Sequence, residues 1–256
     1  MGKVRLAFRV LAIALGLIVC LPLHYLSKLF GPSPWPRRFL RWVGRAAGMR
    51  VRIVGTPLKR NVLFLANHLS WLDIMLIAGA SGAAFVSKEE VGQWPVIGWL
   101  ARMNNTVFVA RSNRREVKGQ ADALRSALAS GQPVALFPEG TTEGGTEVLP
   151  FRASLLSALY PLIPGLQVQP VALDYGAAAH DIAWVGEEGA ADNARRVLSR
   201  AGTAEVVIHF LQPVDPVAAA DRKALASLSR GEIVAALSGG TGGAFRRTGG
   251  SPIGAA

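Results

Sequence analysis

His68 and Asp73 stand five residues apart in Asn67-His68-Leu69-Ser70-Trp71-Leu72-Asp73, and both are residue types that handle protons. An imidazole titrates near neutrality, and a carboxylate that holds one ring nitrogen as N–H leaves the other nitrogen free to take a proton from a hydroxyl. Such a pair is a general base. On one continuous helix, residues five apart point away from each other, so the pairing needs a turn between them. The pair by itself is equally compatible with Asp73 capping a helix and Asn67 making a turn.

The flanking sequence supplies the turn. Val62-Leu63-Phe64-Leu65-Ala66 is a short continuous apolar run, the pattern of a strand buried on both faces. Asn67 and His68 follow at its C-terminal end, where open α/β sheets build their sites. Ser70 with Asp73 three residues later, ahead of Ile74-Met75-Leu76-Ile77, reads as a capping-box-like helix start. Backbone N–H groups near Ser70-Trp71 are then candidate donors to an oxyanion, and the positive end of that helix would disfavour a protonated His68.

Apolar runs alternate with longer periodic segments from Val51 onward, which predicts an α/β fold with a mostly parallel central sheet flanked by helices. Strands are expected at Val51–Ile53, Val62–Ala66, Ala83–Val86, Thr106–Val109, Val134–Phe137, Val168–Leu173, Ile182–Val185 and Val206–Phe210. Helices are expected at Trp71–Ala78, Val96–Ala101, Arg114–Leu128, Ala153–Tyr160, Asn193–Arg200 and Arg222–Leu237. Three of these strands break into polar residues or carry an anomaly. Thr106–Val109 delivers Arg111, which can grip a phosphate bidentately. Val134–Phe137 breaks into Pro138-Glu139-Gly140-Thr141-Thr142, a turn that presents a carboxylate, a flexible glycine and two hydroxyls. Within Val168–Leu173, Pro170 removes a ladder donor and predicts an edge strand or a bulge.

The chain has 256 residues, half of them hydrophobic, and a formal net charge of +11. Its mean hydropathy of +0.30 is high for a freely soluble protein. The charge favours an anionic partner: nucleic acid, a phospholipid surface or a phosphorylated substrate. Lone Cys20 forms no intrachain disulfide, and the four His residues lack zinc-ligand spacing, so no metal is expected. Lys3, Arg5 and Arg9 precede the apolar run Val10–Leu23. No convincing cleavage site follows, which predicts a retained membrane segment that spans or re-enters the bilayer. Trp35–Arg52 interleaves aromatic residues with six arginines and no acid, suiting anionic headgroups better than RNA, because it follows a hydrophobic anchor. Residues 1–50 are thus expected to be a membrane-associated helical segment, residues 51–237 the enzymatic domain, and residues 238–256 a disordered Gly-rich tail.

Asn67-His68 with Asp73, Phe108 with Arg111, Phe137-Pro138-Glu139-Gly140-Thr141, and Gln169-Pro170-Val171-Ala172-Leu173 resemble, in order and spacing, the four blocks of the glycerolipid acyltransferase family that includes 1-acylglycerol-3-phosphate acyltransferases. The resemblance runs from about Val51 to about Leu173. It implies that His68 deprotonates the acceptor hydroxyl and Asp73 orients it, that Arg111 holds an acceptor phosphate with Lys88 facing it, and that Asn67 and the Phe137–Thr141 turn shape the acceptor site. It implies an acyl thioester donor, acyl-CoA or acyl carrier protein, a lysophospholipid acceptor, no further cofactor and no nucleic acid. It also implies a location on the cytoplasmic face of the inner membrane. Two positions depart from the family pattern: Asn105 replaces a usual Gly before the Phe108 strand, and Thr142 replaces a usual Arg. Retention of Arg111 and of the basic charge favours lysophosphatidate as acceptor. The missing guanidinium at Thr142 admits a less anionic one, such as lyso-ornithine lipid. A basic membrane-binding module without catalysis would have to treat both the His-Asp pair and the Phe-Pro-Glu-Gly turn as accidents.

Overall fold

The strand that ends at the His68 turn lies in the middle of a seven-stranded sheet. The computed structural model of the chain describes residues 1–109, 124–128 and 131–239. The strands are β1 (Met49–Val54), β2 (Val62–Ala66), β3 (Ala84–Lys88), β4 (Val107–Val109), β5 (Val134–Leu136), β6 (Gln167–Asp174) and β7 (Ala204–Phe210), arranged β1-β7-β6-β2-β5-β3-β4. All neighbours pair in parallel except β6 and β7. Every residue of β2 is buried, as its unbroken apolar run requires of a strand covered on both faces.

Helices α1 (Gly2–Lys28), α2 (Trp35–Ala46), α3 (Leu72–Ser81), α4 (Glu89–Gln93), α5 (Pro95–Met103), α6 (residues 124–128), α7 (Ala179–Ile182), α8 (Ala190–Ser199) and α9 (Arg222–Gly239) pack on or beside the sheet. The apolar α3 is largely buried beneath the site. It crosses α2 so closely that a β-carbon added at Gly79 would stand 2.9 Å from the backbone of Arg41. Its last carbonyls are taken by α2: Arg41 donates to Gly79 O at 2.9 Å, and Arg37 donates to the carbonyls of Gly79 and Ala80. Cations at a helix C-terminus complement both its unpaired acceptors and its dipole. Two arginines expected to meet lipid headgroups are therefore occupied within the fold.

α1 is long and apolar enough to cross a membrane, and an exposed apolar stripe runs through Val4, Phe8, Leu11, Leu15 and Ile18. Its opposite face is docked. Buried Arg9 donates to the carbonyls of Val197, Leu198 and Gly202, and Trp42 Nε1 donates to Ala12 O at 2.8 Å. The expected boundary between residues 50 and 51 falls inside β1.

Several expectations need correction. Ile182–Val185 is no strand: Ile182 ends α7, and the next residues form a loop whose Trp184 N–H donates to Leu69 O. The apolar run there packs against the turn after β2 instead of joining a ladder. Ala153–Tyr160 is helical but winds as a 3₁₀-helix over Ala153–Leu159. Ser238 and Gly239 belong to α9, residues 240–256 of the expected tail lie outside the described residues, and so does most of the helix expected at Arg114–Leu128. Pro170 marks neither an edge nor a bulge, since β6 runs between β2 and β7 with Pro170 opposite Leu65. The donor it lacks is replaced by a neighbour. Leu211 N–H bonds to Pro170 O at 3.0 Å, and Gln169 Nε2 supplies Leu211 O at 2.8 Å. With both groups of Leu211 paired, the proline leaves no orphan in the interior.

Candidate active site

Asp73 accounts for the shape of the turn after β2. Its side chain is wholly buried, and Oδ2 accepts the N–H of Leu69 at 2.6 Å, that of Ser70 at 2.9 Å and His68 Nδ1 at 2.8 Å. Only half of the expected capping box forms. The acid reaches back to Ser70 N–H, whereas Ser70 Oγ lies 3.5 Å from Leu72 N, too far for a strong bond. These bonds, converging on one carboxylate, fold residues 68–70 over it. Asp73 receiving the proton of Nδ1 leaves Nε2 as the basic nitrogen of neutral His68. Its side chain is 18% exposed, and Nε2 has no protein partner among the described residues.

The turn after β5 closes on this one from the side. Phe137 stacks on the His68 ring with centroids 3.9 Å apart and planes inclined by 10°, and it rests in turn on Phe85. Glu139 Oε1 accepts His68 N–H at 2.8 Å, Oε2 accepts Leu149 N–H at 2.9 Å, and Glu143 N–H donates to His68 O at 2.9 Å. Gly140 turns with φ 74°, open to glycine without strain. Burial pushes the Glu139 carboxyl up to about 8 against the pull of its two amide partners, and the charges of Asp73 and Glu143 add to the rise.

The residues expected around the acceptor thus divide. His68, Asp73, Phe137, Pro138, Glu139, Gly140 and Thr141 do come together. Asn67 and Glu139 are buried and bonded to backbone: Asn67 Nδ2 donates to Leu173 O at 3.1 Å, and its Oδ1 accepts Leu173 N–H at 2.8 Å. Both shape the site by locking strand ends. Ser70 N–H, expected to be a donor to an oxyanion, is already committed to Asp73. Lys88 closes β3, and Arg111 lies outside the described residues. Asn105, the first departure from the family pattern, takes φ 56°, a left-handed conformation that Asn tolerates and Gly adopts freely. At the second departure, Thr142 Oγ1 donates to Trp184 O, tying the turn to the loop after α7.

Sequence reasoning missed Tyr175, whose hydroxyl donates to Asp73 Oδ1 at 2.5 Å across 102 residues. The one available signal was its place just past the β6 block. A hollow lined by Asn67, Leu69, Val148, Leu173 and Tyr175 lies by the turn, and His68 is not among its lining residues.

A neutral imidazole held in this way can take a proton from a hydroxyl. A family model described as Acyltransferase matches residues 50–174. The lyso-ornithine lipid O-acyltransferase of Rhodobacter capsulatus is 37% identical, across 88% of this chain and 87% of its own. The 1-acyl-sn-glycerol-3-phosphate acyltransferase of Neisseria gonorrhoeae is 38% identical, but over 48% of each chain. In fold, the chain resembles the crystal structure of the 1-acyl-sn-glycerophosphate acyltransferase of Thermotoga maritima with a TM-score of 0.63, at 22% identity and with 93% and 97% of the two chains covered. With a relative of 37% identity matched over most of both lengths, and with the His-Asp and Phe-Pro-Glu-Gly turns meeting at one imidazole, this chain belongs to the glycerolipid acyltransferase family.

Proposed function

We propose that this acyltransferase acylates the free hydroxyl of lyso-ornithine lipid. The observation that carries this reading is the extent of the match: the Rhodobacter capsulatus lyso-ornithine lipid enzyme aligns over 88% of the chain, whereas the Neisseria phosphate-acceptor enzyme aligns over 48%. The likeness to the former therefore extends over a far larger share of the chain than the likeness to the latter. This reverses the preference for lysophosphatidate drawn from Arg111 and the basic charge. Thr142 supports the reversal, because it brings no guanidinium to the turn, where the family pattern implies an arginine.

In the proposed reaction His68 Nε2 removes the proton of the acceptor hydroxyl, and the oxygen attacks the carbonyl carbon of an acyl thioester. The C–S bond then breaks, and the leaving thiolate takes the proton from His68. A thioester is already activated, so alignment and a base suffice without a covalent acyl-enzyme. Asp73 holds the tautomer and steadies the imidazolium between the two transfers. The donor is acyl-CoA or acyl carrier protein, and α1 with its exposed apolar stripe keeps the enzyme at the membrane where its acceptor resides.

A second reading, transfer to 1-acyl-sn-glycerol-3-phosphate, is favoured by the 38% identity over 125 residues to the Neisseria enzyme. Thiol release by the purified enzyme with each acceptor discriminates between the two. The expected result is higher kcat/KM with lyso-ornithine lipid, and a clear preference for lysophosphatidate would overturn the proposal.

A further inference from the structure

Tyr175 follows directly on β6, is buried, and places its hydroxyl 2.5 Å from Asp73 Oδ1. The two carboxylate oxygens are thereby divided. Oδ2 serves His68 and the amides of the turn, and Oδ1 serves the phenol. A buried tyrosine hydroxyl needs one partner, and any main-chain carbonyl would do. Here its described partner is the acid that orients the imidazole.

We propose that Tyr175 is a positioning residue for the base: it anchors Asp73 Oδ1 so that Oδ2 stays on His68 Nδ1, and its donated hydrogen bond sets how firmly His68 keeps a proton. A donor on Oδ1 draws charge away from the carboxylate, which then stabilises an imidazolium less. Without the donor, the carboxylate attracts that cation more strongly. Burial and the neighbouring Asp73 hold the phenol well above its usual range, so it remains a donor throughout the working pH range. Among the described residues Glu139 is the titratable group that faces the pair, from the turn after β5, whereas Glu143 meets His68 through its backbone N–H and turns its carboxylate to the amides of Gly145 and Thr146.

The test uses the full chain in detergent, with kcat and KM for donor and acceptor followed across pH. It compares wild type, Tyr175→Phe, and the chain with a ring-fluorinated tyrosine at position 175, each also in a Glu139→Gln background so that the ionisation of Glu139 is not mistaken for that of His68. Tyr175→Phe is expected to lower kcat roughly ten- to hundredfold, as for a lost hydrogen bond to a charged group, with KM little changed. The acid limb of kcat should move to higher pH with Phe and to lower pH with the more acidic fluorinated phenol. A tyrosine that only fills space would move neither limb, and unmoved limbs overturn the proposal. Should the Phe variant fail to fold, the fluorinated chain decides alone. The role rests on His68 acting as base: folded His68→Ala with wild-type turnover overturns both readings, whereas an inactive His68→Ala with unmoved Tyr175 profiles overturns this one only.

Discussion

Glu139 Oε1 accepts the backbone N–H of His68 at 2.8 Å, so the turn after β5 sets the position of the imidazole by gripping its main chain rather than its ring. The same carboxyl accepts Leu149 N–H with its other oxygen, and Phe137 lies flat against the ring. The Phe-Pro-Glu-Gly turn therefore works first as a clamp on the base. In the proposed reaction its glutamate acts through His68.

That clamp carries a pH signature. Burial raises Glu139 from an ordinary value of 4.5 to about 8, so the folded protein binds this proton more tightly than the unfolded chain does. Stability then falls as pH rises from about 4.5 through 8, and the contribution is fully present only below that window. Glu139→Gln removes the titration and sets an amide N–H₂ against one of the two backbone donors. Thermal melts from pH 5 to 9 should show a steeper decline for wild type than for the variant, which starts from a lower Tm. Parallel declines would mean that another group titrates.

His68→Ala should abolish transfer while leaving the melting profile near wild type, since the imidazole is partly exposed and the Asp73 carboxylate keeps its bonds to Leu69, Ser70 and Tyr175 when the ring is removed. Asp73→Asn should be worse for folding. An amide cannot accept the bonds of Leu69, Ser70, His68 and Tyr175 together without turning an N–H₂ toward a donor. Turnover is expected to drop roughly 10²- to 10⁴-fold, because His68 loses its tautomer. A folded Asp73→Asn enzyme with turnover near wild type would remove Asp73 from the mechanism.

What was legible in the sequence followed burial and local turn chemistry. β2 reads directly from Val62–Ala66 because a strand covered on both faces must be apolar throughout, and the His68–Asp73 turn reads from short-range spacing. Illegible were the contacts that depend on strand order. Nothing in the local pattern reveals that β6 sits beside β2, which brings Tyr175 under Asp73 and lets Gln169 supply the donor that Pro170 lacks. The arginines of α2 look like a solvated membrane patch for the same reason. Their partner, the C-terminus of α3, becomes visible only once the two helices cross.

Removing that crossing should cost stability. Arg37→Ala with Arg41→Ala leaves the carbonyls of Gly79 and Ala80 without these donors, a loss of about 1–2 kcal/mol on the scale of helix-terminal charges and charged hydrogen bonds. Deletion of residues 1–48 should go further and yield an aggregating core instead of a soluble one, since it also uncovers α3. Denaturant unfolding in detergent measures the first effect and size-exclusion chromatography the second. A monodisperse, active truncation would show that α1 and α2 only anchor the enzyme.

Acceptor choice is expected to turn on the loop after Gly140. Thr142 donates to Trp184 O, and Trp184 N–H donates to Leu69 O, so position 142 braces the loop that borders the His68 turn and adds no charge there. Arg152 does lie over this turn: a β-carbon added at Gly140 would stand 3.3 Å from its Nε. A site with one guanidinium fewer than the family pattern suits the single negative charge of an ornithine carboxylate better than the dianion of a phosphate monoester. Thr142→Arg should therefore shift kcat/KM toward lysophosphatidate relative to lyso-ornithine lipid by roughly tenfold or more, the equivalent of one charge-assisted hydrogen bond of about 1.5–3 kcal/mol. Arg152→Ala should depress turnover of lyso-ornithine lipid while leaving the melting temperature near wild type. Competition between the two acceptors in one vessel, read by mass spectrometry of the products, gives the ratio directly. A Thr142→Arg enzyme with an unchanged ratio would mean that the absent guanidinium does not set acceptor choice, and the difference would then have to lie where the acceptor's acyl chain is bound.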